Sequence, residues 1–172
     1  MRPLSKSMRT GNNIKGFLRS FGFAAQGLIS CVNSERNMRF HIGAAVFVIW
    51  IMRFYCLSAA KSAVLYLCIG AVIALELINT AIESVVDLVS PDKNNKAKKA
   101  KDCAAGAVLV MAFISVICAV YILWDTAVFA HIWEVMTDKP YRICILAALT
   151  AIWLVWVFFP RKSEEVENEQ KQ

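Results

Sequence analysis

Residues Ala63–Ser90, AVLYLCIGAVIALELINTAIESVVDLVS, begin with an uncharged run to Leu75 and then place three carboxylates, from Glu76, in a segment that stays apolar. A helix through all of them reaches about 42 Å, against roughly 30 Å for the hydrocarbon core of a bilayer, so part of it is expected to stand in water. At about 100° per residue, Glu76, Asn79, Glu83 and Asp87 fall near 0°, 300°, 340° and 20°, on one stripe. An ionisable group in a membrane segment is costly enough to mark a functional site by default. The competing reading is a helix that has left the bilayer and turns a solvated face outward. The uncharged run directly before Glu76 favours a functional role there, and both readings stay open for Asp87.

The rest of the chain supports a membrane protein. Its 172 residues are 58% hydrophobic with mean hydropathy +0.52, more apolar than a soluble domain. Ile42–Ala60, interrupted only by Arg53, and the uncharged runs Cys103–Trp124 and Ile143–Phe159 add three further candidate spans. The net charge of +6 tracks topology and not nucleic acid: Arg2, Lys6, Arg9, Lys15, Arg19, Arg36 and Arg39 precede the first span, and Lys93, Lys96, Lys98, Lys99 and Lys101 lie between the second and third. Arg161, Lys162 and Lys171 follow the last, while Lys61, Lys139 and Arg142 lie on the other side with Arg53 near its edge. The positive-inside rule then puts both termini in the cytoplasm. The first 35 residues hold no apolar core of signal-peptide type, so insertion is expected through the first span itself. Six scattered cysteines form no CxxC pair and support neither a disulfide framework nor a zinc site.

Asn13–Val32 spaces Ile14, Phe17, Leu18, Phe21, Ala25, Leu28 and Ile29 near helical periodicity, the pattern of an amphipathic helix at a membrane surface. A tether and a substrate-contacting element are both compatible with it. The polar cluster Asn33–His41 comes next. Ser90-Pro91-Asp92 reads as a stop for the long helix, Asp138–Pro140 as a turn, and the tail from Ser163 as disordered. There is no internal repeat of the kind that builds transporters from matched halves.

Carboxylates in a row beside a lysine-rich loop suit Mg²⁺ and polyphosphate together, because hard oxygen ligands hold the ion while lysines neutralise phosphate oxygens. Glu35 is a candidate ligand from a second helix. Lys101-Asp102 suits either nucleotide binding or, as part of the lysine run, anchoring to anionic lipid. Gly11–Gly16 has the glycine spacing of a Walker A loop, but Phe17 stands where lysine is required. With no GxGxxG and no DFG, phosphoryl transfer would need a different scaffold.

The run Glu76-Leu77-Ile78-Asn79-Thr80-Ala81-Ile82-Glu83-Ser84-Val85-Val86-Asp87, followed after a polar loop by Ala100-Lys101-Asp102, resembles the signature of the prokaryotic diacylglycerol kinase family, which includes undecaprenol kinases. Glu35-Arg36-Asn37 with Met38, Arg39 and His41 resembles the block ahead of that family's first span, and the likeness extends over about residues 14–124. The resemblance implies a homotrimer with a surface helix, three membrane helices per chain and active sites where chains meet at the cytoplasmic face. It implies Glu76 as general base on the lipid hydroxyl with Asn79 beside it in the substrate site, and Glu35 and Glu83 as ligands of Mg²⁺. Glu35, Glu83, Asp87, Lys101 and Asp102 would contact ATP, with the Asp92–Asn94 loop nearby. Phe23 stands where some members carry a nucleotide-contacting tyrosine. Gly16 stands where some carry arginine, leaving Lys15 or Arg19 as substitutes.

The expectation is therefore an all-α integral membrane protein with an N-terminal amphipathic surface helix, a three-helix kinase core and a fourth C-terminal transmembrane helix. Residues 1–124 would form the kinase domain, 125–160 the extra helix and 161–172 a disordered polar tail. Expected in the bacterial cytoplasmic membrane, it would move the γ-phosphate of ATP, with Mg²⁺ as cofactor, onto diacylglycerol or undecaprenol. The rival from another class is a non-enzymatic ion or proton pathway lined by the Glu76 stripe. A channel has no reason to turn over ATP only when a lipid alcohol is supplied.

Overall fold

The computed structural model describes residues 10–90 and 94–159, with side chains from Gly16 onward. The expectations resting on Pro91, Asp92 and Lys93, on the basic residues before Thr10, on the Lys15 side chain and on the tail from Pro160 lie outside the described residues. Among the described residues every regular element is a helix: α1 Thr10–Ser34, α2 Arg36–Met52, α3 Ala59–Val89, α4 Asn95–Leu123, α5 Thr126–Asp138 and α6 Tyr141–Phe158.

Local chemistry sets the boundaries. Glu35 alone separates α1 from α2, its backbone extended at φ −96°, ψ 119°. Arg53, Phe54 and Tyr55 donate their amides to Trp50, Ile51 and Met52, an i→i−3 tightening that ends α2. The expected span Ile42–Ala60 is thus not one helix: α2 starts earlier and stops at Met52, and Ala59 and Ala60 begin α3. The Ser58 side chain caps α3, that of Asn94 caps α4, and that of Asp125 accepts from Ala127 and Val128 to start α5. The mixed stretch after Trp124 is therefore mainly helical.

α3 and α4 form a long antiparallel hairpin, α2 lies on α3, and α6 lies on α2. At one end of the bundle Met52, Leu65 and Leu123 pack with Tyr55 and Leu57, and the Tyr55 hydroxyl donates to the Leu123 carbonyl. Among the described residues three helices, α3, α4 and α6, are long and apolar enough to cross a membrane, one fewer than the four spans expected from sequence. Their outward faces leave large apolar side chains uncovered, with Leu67 72% and Phe113 66% exposed. A soluble protein of this size does not show so continuous an apolar surface, and a bilayer or neighbouring membrane helices would cover it. α2 reaches about 26 Å and α3 about 46 Å, so the first falls slightly short of the hydrocarbon thickness and the second exceeds it.

Candidate active site

The α3 stripe expected from sequence is present, and its first two members are buried: Glu76 is 1% and Asn79 6% exposed. They line a cleft of about 250 Å³ together with Asn37 and His41 of α2 and Ala105 and Leu109 of α4. Oε1 of Glu76 and Oδ1 of Asn79 are buried there without a hydrogen-bond partner. Unpaired buried acceptors are uncommon because each forgoes hydration without replacement. Asn79 Nδ2 donates to Glu83 Oε1 at 3.0 Å, linking the buried pair to the next carboxylate along the helix.

The end of α1 lies against α3 next to the stripe. Cys31 Sγ lies 3.2 Å from Thr80 Oγ1, which donates to the Glu76 carbonyl at 3.0 Å. Burial pushes the Cys31 thiol up, the Thr80 hydrogen bond partly offsets this, and the charges of Glu35 and Glu76 raise it further. Glu35 and Glu83 are likewise the two carboxylates that act electrostatically on Glu76. Glu35, Glu76 and Glu83 therefore share one electrostatic neighbourhood. The Glu35 carboxylate does not cap α2. Among the described residues, no three His, Cys, Asp or Glu side chains form a ready-made metal cage.

Farther along the stripe, Lys101 at the start of α4 makes an ion pair with exposed Asp87, and Asp102 beside it is exposed. Phe23 is 64% exposed on α1, about 12 Å along the helix from Cys31, and lines neither this cleft nor the cavity below. The structure thus brings Glu76, Asn79, Glu83 and Glu35 together, joins Asp87 to Lys101, and leaves Phe23 apart.

An apolar cavity of about 180 Å³ adjoins the cleft, lined by Ala44, Val48, Leu65, Ile69 and Val72 among others. Phe40, His41 and Ala112 line both, so the cleft that holds the buried carboxylate has an apolar cavity as its neighbour. The contributions of Asn37 and Phe40 were not anticipated from sequence. The signal was the density of polar and aromatic residues in Asn33–His41, directly before an apolar helix.

Residues 22–123 match the family described as prokaryotic diacylglycerol kinase. The chain belongs to this family. It is similar to an undecaprenol kinase of Bacillus subtilis, 42% identical over 106 residues that cover 62% of this chain and 86% of the relative. A diacylglycerol kinase of Synechocystis is 46% identical over 101 residues, 58% of each chain. A diacylglycerol kinase of Escherichia coli K12 is 28% identical over 117 residues, 66% of this chain and 96% of the relative. As a member of the prokaryotic diacylglycerol kinase family the protein is a membrane lipid kinase. The matched residues run from within α1 to the end of α4, leaving α5 and α6 outside the match.

Proposed function

We propose that the chain transfers the γ-phosphate of MgATP to the hydroxyl of diacylglycerol or undecaprenol, giving phosphatidic acid or undecaprenyl phosphate. The observation that carries this reading is the buried Glu76 carboxylate, with an oxygen lacking any protein partner, in a cleft that shares Phe40, His41 and Ala112 with an apolar cavity. A lipid alcohol with its chain in the cavity presents its hydroxyl there. Glu76 accepts the hydroxyl proton as the alcohol oxygen bonds to the γ-phosphorus and the bond to the bridging oxygen breaks, with ADP leaving. Asn79 orients the hydroxyl.

Depth supports the same division of labour. With Ala59 at one face of the hydrocarbon slab, Glu76 lies about 26 Å along α3, just inside the other face. Glu83, about 10 Å further, reaches the headgroup layer. Base and lipid hydroxyl then meet at the interface while phosphate and metal stay in water. Mg²⁺ takes one or two carboxylates plus substrate phosphates and keeps several waters, which is the kind of donor set Glu35 and Glu83 offer. When bound with ATP it supplies charge neutralisation at the phosphates. Lys101, Asp102 and Asp87 take the nucleotide, and Phe23 of α1 would reach it only if the surface helix lies over the site.

In this reading α1 lies on the membrane surface, α2 crosses the cytoplasmic membrane with the help of the turn through Tyr55 that prolongs it, α3, α4 and α6 cross it as helices, and both termini and the active site face the cytoplasm. The chain forms a homotrimer, as its family resemblance implies. The test is a radiolabelled-ATP assay on detergent-purified protein with each lipid alcohol in turn. Label should enter one lipid or both in a Mg²⁺-dependent manner, and lipid-independent ATP turnover would refute the kinase reading.

A further inference from the structure

α6 lies outside the family match, yet it is fixed to an element that walls the apolar cavity. Its Trp153 indole occupies a notch in α2 created by Gly43: a Cβ at that position would overlap the ring. The indole Nε1 donates to the Arg39 carbonyl at 3.3 Å, and the ring lies 5.5 Å from that of Phe40. Phe40 lines both the cleft that holds Glu76 and the apolar cavity beside it.

A second set of contacts fixes the same end of α6. The Arg39 guanidinium, in a residue only 4% exposed, donates to the carbonyls of Val32 and Asn33 at the end of α1 and of Val157 at the end of α6. One cation thus serves the carbonyl ends of two helices, where hydrogen-bond acceptors and partial negative charge are in excess. Arg36 stands 5.9 Å over the Phe158 ring. The α1–α2 corner at Glu35 and the Phe40 wall are therefore both braced by the last turns of α6.

We propose that Trp153 is a positioning residue for the lipid site: seated in the Gly43 notch, it holds Phe40 in the cavity wall, so that the added helix sets affinity for the lipid alcohol. This rests on the lipid-kinase reading above. Trp153 meets the Arg39 carbonyl, Phe40 and Gly43, while the braces near Glu35 are made by Val157 and Phe158, so the effect of changing Trp153 falls on lipid binding.

The experiment is steady-state kinetics on the full-length protein in mixed micelles, varying lipid and MgATP separately. Trp153→Ala should raise the lipid KM on the order of tenfold and leave the MgATP KM within about twofold of wild type. Trp153→Phe keeps a ring in the notch and should restore the lipid KM. Ile152→Ala, on the exposed side of α6, should behave as wild type. Gly43→Ala should raise the lipid KM by displacing the indole, yet add nothing in the Trp153→Ala background, where the notch is empty. Gly43→Ala by itself, which leaves Trp153 in the chain, keeps the test decisive if Trp153→Ala folds poorly. An unchanged lipid KM in both single variants, or equal losses in lipid KM, MgATP KM and kcat, overturns the inference and leaves the kinase reading intact. Absence of lipid-dependent turnover in the wild type removes that reading, and this inference with it.

Discussion

Replacing Glu76 and Glu83 by glutamine, one at a time, separates proton transfer from metal binding within a single helix. The two carboxylates are seven residues and about 10 Å apart along α3, so the groups assigned to proton transfer and to the metal stand at separate points of the stripe. Glu76→Gln retains the side-chain volume in a residue 1% exposed and removes the group that accepts the hydroxyl proton. Loss of a positioned general base lowers turnover on the order of a hundredfold or more, about 2.7 kcal/mol of barrier. Because the exchange is isosteric, stability should stay within about 1 kcal/mol of wild type. Glu83→Gln instead keeps an oxygen that can accept from Asn79 Nδ2, a bond of 3.0 Å in the native protein, but drops the charge. MgATP affinity should fall on the order of tenfold and the Mg²⁺ requirement should rise, with kcat at saturation less affected. The measurements are MgATP affinity by calorimetry and initial rates at saturating lipid, on detergent-purified protein. A fully active Glu76→Gln enzyme, or one whose sole defect is in MgATP affinity, would refute the base assignment.

Arg39→Met strips donors from the carbonyls of Val32, Asn33 and Val157. It should cost about 3 kcal/mol, read as a lowered thermal midpoint in detergent, with Arg39→Lys intermediate because one ammonium cannot fork to all three. The Cys31 thiol, held up by burial and by the charges of Glu35 and Glu76, should be alkylated slowly at neutral pH and faster as pH rises above the ordinary thiol range. Glu35→Gln removes one of the raising charges and should shift that rate profile to lower pH; an unmoved profile would place Glu35 away from the site. A reporter fused after Gln172 should be active only in the cytoplasm, and extracytoplasmic activity would break either the α6 crossing or the orientation.

The carboxylate stripe was legible because it depends only on helical periodicity, and α3 runs through Ala63–Val89 without a break. The end of α2 was not, because Phe54, Tyr55 and Leu57 prolong the apolar run past Met52 while the backbone has already turned. Hydropathy measures solvent preference and is blind to that turn. α5 carried a readable signal in Asp125, a good capping residue directly ahead of it, although its mixed composition suggested no single element. Glu35 was legible as an acid but not as the lone extended residue between two helices. The seating of Trp153 over Gly43 lies in no periodic pattern: it joins residues far apart in sequence, and only the docking of α6 on α2 makes the absent side chain into a socket. Phe23 was placed by likeness to the family alone, and no contact in the structure draws it toward the carboxylates.

The two ends of the bundle differ in kind. Remote from Glu76, Met52, Leu65 and Leu123 interlock, and Tyr55 ties α4 to the turn after α2. Near Glu76, the helices part around a polar cleft. The first end is held by interdigitated apolar side chains and the second by polar bonds, Arg39 to the ends of α1 and α6 and Lys101 to Asp87. Polar bonds span a gap that apolar packing would close, and the space they leave is where a headgroup and phosphates can be seated.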